Sequence, residues 1–190
     1  MNALAQPFTV HRFTVDDVYD MYAKGVLTAE HGVELIEGQL VDMADDSPEH
    51  IDWVSVLGGW LHESLGRRFM IVPGSTLRLD DYNGPKPDWW VFDPSVPTAQ
   101  VRGPDVLLGL EVSQTSRAKD LGPKADLYAR FGVRDYWVAD VQARRVHVHR
   151  DPGPAGYGWT RTYEAHEPVE ALLLPGLTLV VDDLPRIGRG

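Results

Sequence analysis

The chain has 190 residues, enough for one domain with a substantial core, and its 43% hydrophobic and 24% charged content is that of a soluble globular protein. A formal net charge of −10 argues against coating DNA with a uniformly basic surface, and the lack of cysteine excludes disulfides and Cys-ligated zinc. No stretch approaches the ~20 apolar residues of a membrane span, and "MNALAQPFTVHRFTVDD" has no basic segment followed by an apolar run, so a cytoplasmic location is expected. The charge is uneven. Residues 1–60 hold 11 acids and 2 bases, whereas residues 117–150 hold 8 bases and 4 acids. A local phosphate-facing patch is compatible with this, although a mixed solvated surface is the simpler reading.

In chain order, "FTVDDVYDMYAKG" predicts a helix with Thr14 as N-cap, Asp17 three residues on, and Gly25 at its end. "VELIEGQLVDM" predicts a hairpin around Gly38-Gln39. "SPEHIDWVSVLGGWLHESLGRR" predicts a long helix capped by Ser47, with Ile51, Val54, Leu57, Leu61 and Leu65 at helical spacing. The period then changes. "MIVPGSTLRLD", "DWWVFD", "DVLLGLEVS", "RDYWVADV" and "RRVHVHR" predict strands, with "GPKADLYARFG" a helix among them. "DPGPAGYG" reads as a loop, "WTRTYEA" as a strand, and "ALLLPGLTLVV" as a last apolar run. The fold class is therefore α/β to α+β: a mixed central sheet flanked by helices, with an N-terminal helix and hairpin. One domain over 1–190, its core about 12–183, is expected.

Two acids stand out. Residues 88–92 and 106–112 are nearly continuous apolar runs, the mark of strands buried on both faces, where an acid is costly without a partner or a metal. Asp88 follows Pro87 at a strand mouth, where a turn aspartate is about as good a reading. Glu111 sits near the end of the most apolar strand, and its plainer reading is a pair with an arginine. Two carboxylates on adjacent strands repel unless a cation lies between them, and oxygen donors suit Mg²⁺ or Mn²⁺. A phosphodiester-cutting site also benefits from a fixed positive charge. The position two residues after Glu111 is Ser113, so a lysine must come from elsewhere. With a helix starting near Gly122-Pro123, the apolar face runs through Leu121, Ala125 and Tyr128. Lys124 lies roughly 60° from its centre and Lys119 on the far side. Lys124 is the inward candidate; a snorkelling surface lysine is its plainer reading.

"VELIEGQLVDM" followed by "SPEH", then "PDWWVFDP", then "LEVSQTSRAKDLGPKADLYARFGVRDYWVAD" resembles the Uma-type restriction endonuclease family, within the PD-(D/E)XK nuclease superfamily, over about residues 12–183. The resemblance implies a restriction-endonuclease-like core, Asp88 and Glu111 as metal-binding acids, and Lys124 as a displaced catalytic lysine. It adds Glu34 as a further acid and the backbone carbonyl of Val112 as a further metal ligand. Asp120 and Tyr128 match positions flanking the lysine; Asp120 either orients Lys124 or caps the helix. Gln39 stands where the family often has an acid, and "SQTS" replaces a Ser-Pro-Ser-Thr type of turn.

His50, in the first turn of the long helix, either faces the cleft or makes only a local hydrogen bond. His147 and His149 share a strand face, but no third ligand is spaced to complete a zinc site. Trp89 and Trp90 point to opposite faces, at least one into the core. Arg144-Arg145 falls in a hairpin turn. The reading is a Mg²⁺- or Mn²⁺-dependent endonuclease acting on DNA, compatible with a homodimer. The alternative is a catalytically inactive nucleic-acid-binding or interaction module on the same fold.

Overall fold

The computed structural model describes residues 9–28, 31–43, 47–114 and 117–185, without the side chains of Arg117 and Ala118. The first eight residues, and Thr115 and Ser116 of the "SQTS" turn, lie outside the described residues. The chain forms two compact units, Met1–Asp45 with Thr76–Pro85, and Asp46–Ser75 with Lys86–Gly190.

In the first unit, helix α1 spans Val15–Ala23 and opens on a reciprocal cap. Thr14 Oγ1 accepts from the Asp17 N–H at 3.1 Å, and the Asp17 carboxylate accepts from the Thr14 N–H at 2.8 Å. Gly25, at φ +71°, follows the C-cap Lys24. Strands β1 (Val33–Ile36) and β2 (Gln39–Asp42) form the hairpin. Its turn is Glu37-Gly38 rather than Gly38-Gln39, because Ile36 pairs with Gln39. Both turn residues have positive φ, as a tight hairpin demands, and the Glu37 N–H donates to Asn83 Oδ1 at 2.8 Å. Residues 76–85 belong to this unit as an irregular turn that buries Leu77 and Leu79. The strand expected over "MIVPGSTLRLD" is therefore confined to β3 (Met70–Pro73) of the second unit, where Pro73 and Gly74 end it.

The second unit is built on a six-stranded sheet in the order β3-β4-β5-β6-β7-β8. Its further strands are β4 (Trp89–Phe92), β5 (Val106–Ser113), β6 (Asp135–Asp140), β7 (Arg145–Gly153) and β8 (Gly156–Glu164). Among the described residues only β5 and β6 pair in parallel, and their crossover carries α3 (Arg117–Asp120) and α4 (Pro123–Arg130). β4, β6 and nearly all of β5 are buried on both faces, which accounts for their continuous apolar sequence. Helix α2 (Pro48–Leu65) starts with Pro48 behind the cap Ser47. It buries Trp53, Leu57, Leu61 and Leu65 in a core shared with Leu110, Val112, Trp137 and Ala139. Ile51, expected on that face, is 52% exposed; Trp53 takes the inward position.

One tail expectation changes. "DPGPAGYG" is not a loop: β7 and β8 pair through Gly153 and Gly156, leaving only Pro154-Ala155 between them. Pro152 is tolerated because it lies at the hairpin's end, opposite Tyr157. The last apolar run, "ALLLPGLTLVV", is divided by a turn. Gly176, at φ +85°, turns the chain between β9 (Val169–Glu170) and β10 (Thr178–Leu179), while Leu174, Leu177 and Leu179 enter the core. Among the described residues no helix is long and apolar enough to cross a membrane.

Candidate active site

β4 and β5 run antiparallel with Trp89 opposite Leu110. One further step in that register sets Asp88 beside Glu111, on the same face of the sheet. The register also fixes which face. Glu111 is level with Val138 of β6, whose alternation puts it on the side of Tyr136, against α4. Leu110 and Val112 point the other way, into the core with α2. An acid in a run of apolar residues thus follows from a strand whose two faces do different work.

Asp88 stands just before β4, and its Oδ2 accepts from the Val112 N–H at 2.6 Å. This charge-assisted bond ties one acid to the backbone of the strand that carries the other. His50 Nε2 lies 3.4 Å from the same Oδ2. Its position is set at the start of α2, where Ser47 Oγ accepts from the His50 N–H at 3.1 Å. Gln114, immediately after β5, bonds Ser47 Oγ and donates to Glu49 Oε2, both at 2.5 Å. A proline at position 114 could not donate to Glu49, so the departure in "SQTS" supplies a clamp between the end of β5 and the start of α2.

Glu111 is 4% exposed and Lys124 5% exposed. Lys124 Nζ donates to Glu111 Oε1 at 2.8 Å, and the Tyr128 hydroxyl donates to the same oxygen at 3.2 Å. Lys124 and Tyr128 are one turn apart on α4, so both reach the strand beneath. Burial pushes the Glu111 carboxyl up, to about 8. Lys124 pulls it down, while Asp88 and Asp120 push in the same direction as burial. Asp120, at the end of α3, is 3% exposed, and its backbone carbonyl accepts from the Tyr136 hydroxyl at 3.1 Å. Lys119 is half-buried on the same short helix, not on α4.

The structure thus brings together Asp88, Glu111, Lys124, Tyr128 and His50, with Asp120 in electrostatic reach of Glu111. Glu34 is buried in β1 of the first unit, where it pairs in register with Val41. Among the described residues no group of three or more His, Asp or Glu side chains is arranged to hold a metal ion. Two carboxylates side by side are an all-oxygen donor set of the kind that Mg²⁺ and Mn²⁺ accept with water completing the shell. The hydrogen bonds described at these acids fall on Asp88 Oδ2 and Glu111 Oε1, so each carboxylate keeps a second oxygen for a cation. The residues present fit such an ion.

Sequence reasoning passed over Gln114 and Ser47 as partners. Ser47 was legible only as a cap, and nothing in its spacing from Gln114 signals the contact. It also passed over Asp135, fully buried and accepting from Trp137 Nε1, Arg150 Nε and the Leu172 N–H at 2.7–2.8 Å. Asp135 is structural: it anchors β6 to β7 and to the segment entering the last turn. His147 Nδ1 pairs with Thr162 Oγ1 at 2.9 Å, and Trp89 and Trp90 are both buried.

Among solved structures, the chain is similar to a protein described as a putative nuclease belonging to DUF820 from Anabaena variabilis ATCC 29413. The TM-score is 0.71 at 17% identity, over 90% of this chain and 96% of that one, so the likeness establishes the fold. No curated protein matches the chain. A family profile described as "Uma2: Putative restriction endonuclease" matches residues 15–182, nearly the whole sequence. The strand–acid–helix–lysine order read from the sequence and the sheet that carries it agree with that match, and the chain belongs to the Uma2 family of restriction-endonuclease-like proteins.

Proposed function

We propose that this protein is a Mg²⁺- or Mn²⁺-dependent endonuclease that hydrolyses DNA phosphodiester bonds. The observation that carries the reading is the juxtaposition of Asp88 and Glu111 across one strand register, with Lys124 Nζ at 2.8 Å from Glu111. Asp88 and Glu111 would hold the metal, with the Val112 carbonyl as a further ligand. The ion would supply a Lewis acid for the phosphate and lower the pKa of a bound water. Lys124 orients the attacking water or stabilises charge on the phosphate, and its buried setting makes that charge effective. Tyr128 shares Glu111 with Lys124 and so holds the carboxylate in one rotamer. His50 does the same for Asp88. Glu34 is nominated by the family resemblance alone, and a Glu34→Gln variant decides its part.

A second reading is a catalytically inactive nucleic-acid-binding or interaction module. One observation favours it: Lys124 already neutralises Glu111 within the chain. Calorimetric titration of the protein with Mn²⁺, wild type against Asp88→Asn, separates the two. Binding by wild type that is lost in the variant supports the metal site. Plasmid cleavage by wild type that is lost in Lys124→Met, with Mn²⁺ binding retained, supports the lysine's role. No Mn²⁺ binding and no cleavage would leave the inactive module as the reading.

A further inference from the structure

The two edges of the six-stranded sheet are unlike. β3 is four residues long and ends in Pro73, both of which discourage pairing with another strand. β8 is nine residues long, contains no proline, and among the described residues pairs only with β7. Among the described residues no other segment hydrogen-bonds to the backbone of residues 157–163. Gly158 through Thr162 are exposed on both faces of the strand, and Trp159 is 39% exposed. A long open edge carrying an exposed tryptophan is what a monomer avoids.

We propose that β8 is the seam of a homodimer. It pairs antiparallel with β8 of a second copy about a two-fold axis at Thr160. The occupant is a second copy because the strand complements itself in that register. With Thr160 opposite its own equivalent, Trp159 faces Arg161 of the partner subunit. The pair occurs twice by symmetry. A guanidinium against an indole is a favourable cross-strand pair. The side chains are already posed for it. Arg161 lies 4.2 Å over the Tyr163 ring and bonds Glu167 at 2.7 Å, which holds its guanidinium along the strand. Arg150 lies 5.4 Å from the Trp159 ring, leaving the outer side of the indole open. The sheet would continue across the axis as twelve strands. Two copies would bring two candidate sites, which suits a duplex substrate; the interface itself rests on β8 and not on the nuclease reading.

The test is sedimentation velocity on the full chain over a wide concentration range, with single-cysteine crosslinking. An edge-to-edge interface is at the small end for protein pairs, so a concentration-dependent dimer is expected. The chain has no cysteine, so Thr160→Cys introduces a lone thiol on the axis. Opposed residues in an antiparallel pair have Cα atoms about 4.5–5.5 Å apart, within disulfide reach. Thr160→Cys is expected to crosslink fully under mild oxidation, and Thr178→Cys, away from the seam, to stay monomeric. Trp159→Lys sets a cation opposite Arg161 of the partner subunit twice over and should weaken the dimer at least tenfold. Adding Arg161→Glu to it should restore pairing. A wild type that stays monomeric throughout, a dimer indifferent to Trp159→Lys, or equal crosslinking at both cysteines overturns the proposal.

Discussion

Replacing the Glu111–Lys124 pair by the neutral Glu111→Gln/Lys124→Met pair should make the protein more stable while abolishing the proposed cleavage. Both side chains are almost wholly buried, 2.8 Å apart, so each has lost its hydration. The folded-state pKa of Glu111, about 8, is above its ordinary 4.5. The unfolded chain therefore gives up this proton first, and stability falls as pH rises from about 4.5 through about 8, then levels. At about 1.4 kcal/mol per unit the whole rise corresponds to roughly 5 kcal/mol, shared with the lysine it is coupled to. Exchanging a buried ion pair for neutral groups of like volume gains about 1–4 kcal/mol, the range expected here. The single variants should fare worse than the double: Glu111→Gln leaves the ammonium without its carboxylate, and Lys124→Met leaves the carboxyl without the charge that lowers it. Urea denaturation followed by tryptophan fluorescence, with chelator present, reads this directly. The double variant's midpoint should exceed the wild type's at pH 8, by a margin that shrinks at pH 5. A double variant less stable than wild type at pH 8, or an equal gain at both pH values, would refute the account. The pair would then be an ordinary structural ion pair, and its burial would no longer mark a site.

Arg150→Ala should cost about 3–5 kcal/mol in the same assay, because it takes the cation from the fully buried Asp135; Asp135→Asn with Arg150 retained should cost less. His149 is held neutral, its pKa lowered to about 4 by burial and then by His147. The unfolded state binds that proton first, so stability falls as pH drops from about 6.5 to about 4. His149→Phe, between the Tyr136 and Tyr157 rings, should flatten that slope by roughly 2 kcal/mol in acid-denaturation curves; an unchanged slope refutes it. Gly58→Ala should lose stability although alanine favours helix, since its Cβ would overlap the Trp89 ring. The helical gain of about 1 kcal/mol is outweighed by about 1–3 kcal/mol of overpacking, and a rise in melting temperature would refute the close packing.

The pattern of what was legible has a physical basis. Caps, periods and faces are local properties, so Thr14, Ser47 and the inward turn of Lys124 could be read from a few residues' spacing. Glu111 was legible because an acid in an apolar strand contradicts its surroundings. Strand ends in the tail were misread because glycine and proline signal a break only where the backbone must pair on both sides. At the end of the β7–β8 hairpin they do not, and "DPGPAGYG" could extend as strand. What local reading cannot supply is register. The bond from the Val112 N–H to Asp88, the approach of His50 to that carboxylate, and the Gln114 clamp join positions 24 to 67 residues apart. The first depends on which residue of β4 meets which residue of β5, the other two on where the start of α2 docks on the sheet. A slip of one residue would turn Glu111 toward α2 and Leu110 toward Lys124, burying a lysine against leucine and a carboxylate among tryptophans. The apolar faces on either side forbid that slip. The core packing of Leu110, Val112 and Trp137 therefore does for the site what no catalytic residue could: it fixes the two acids side by side.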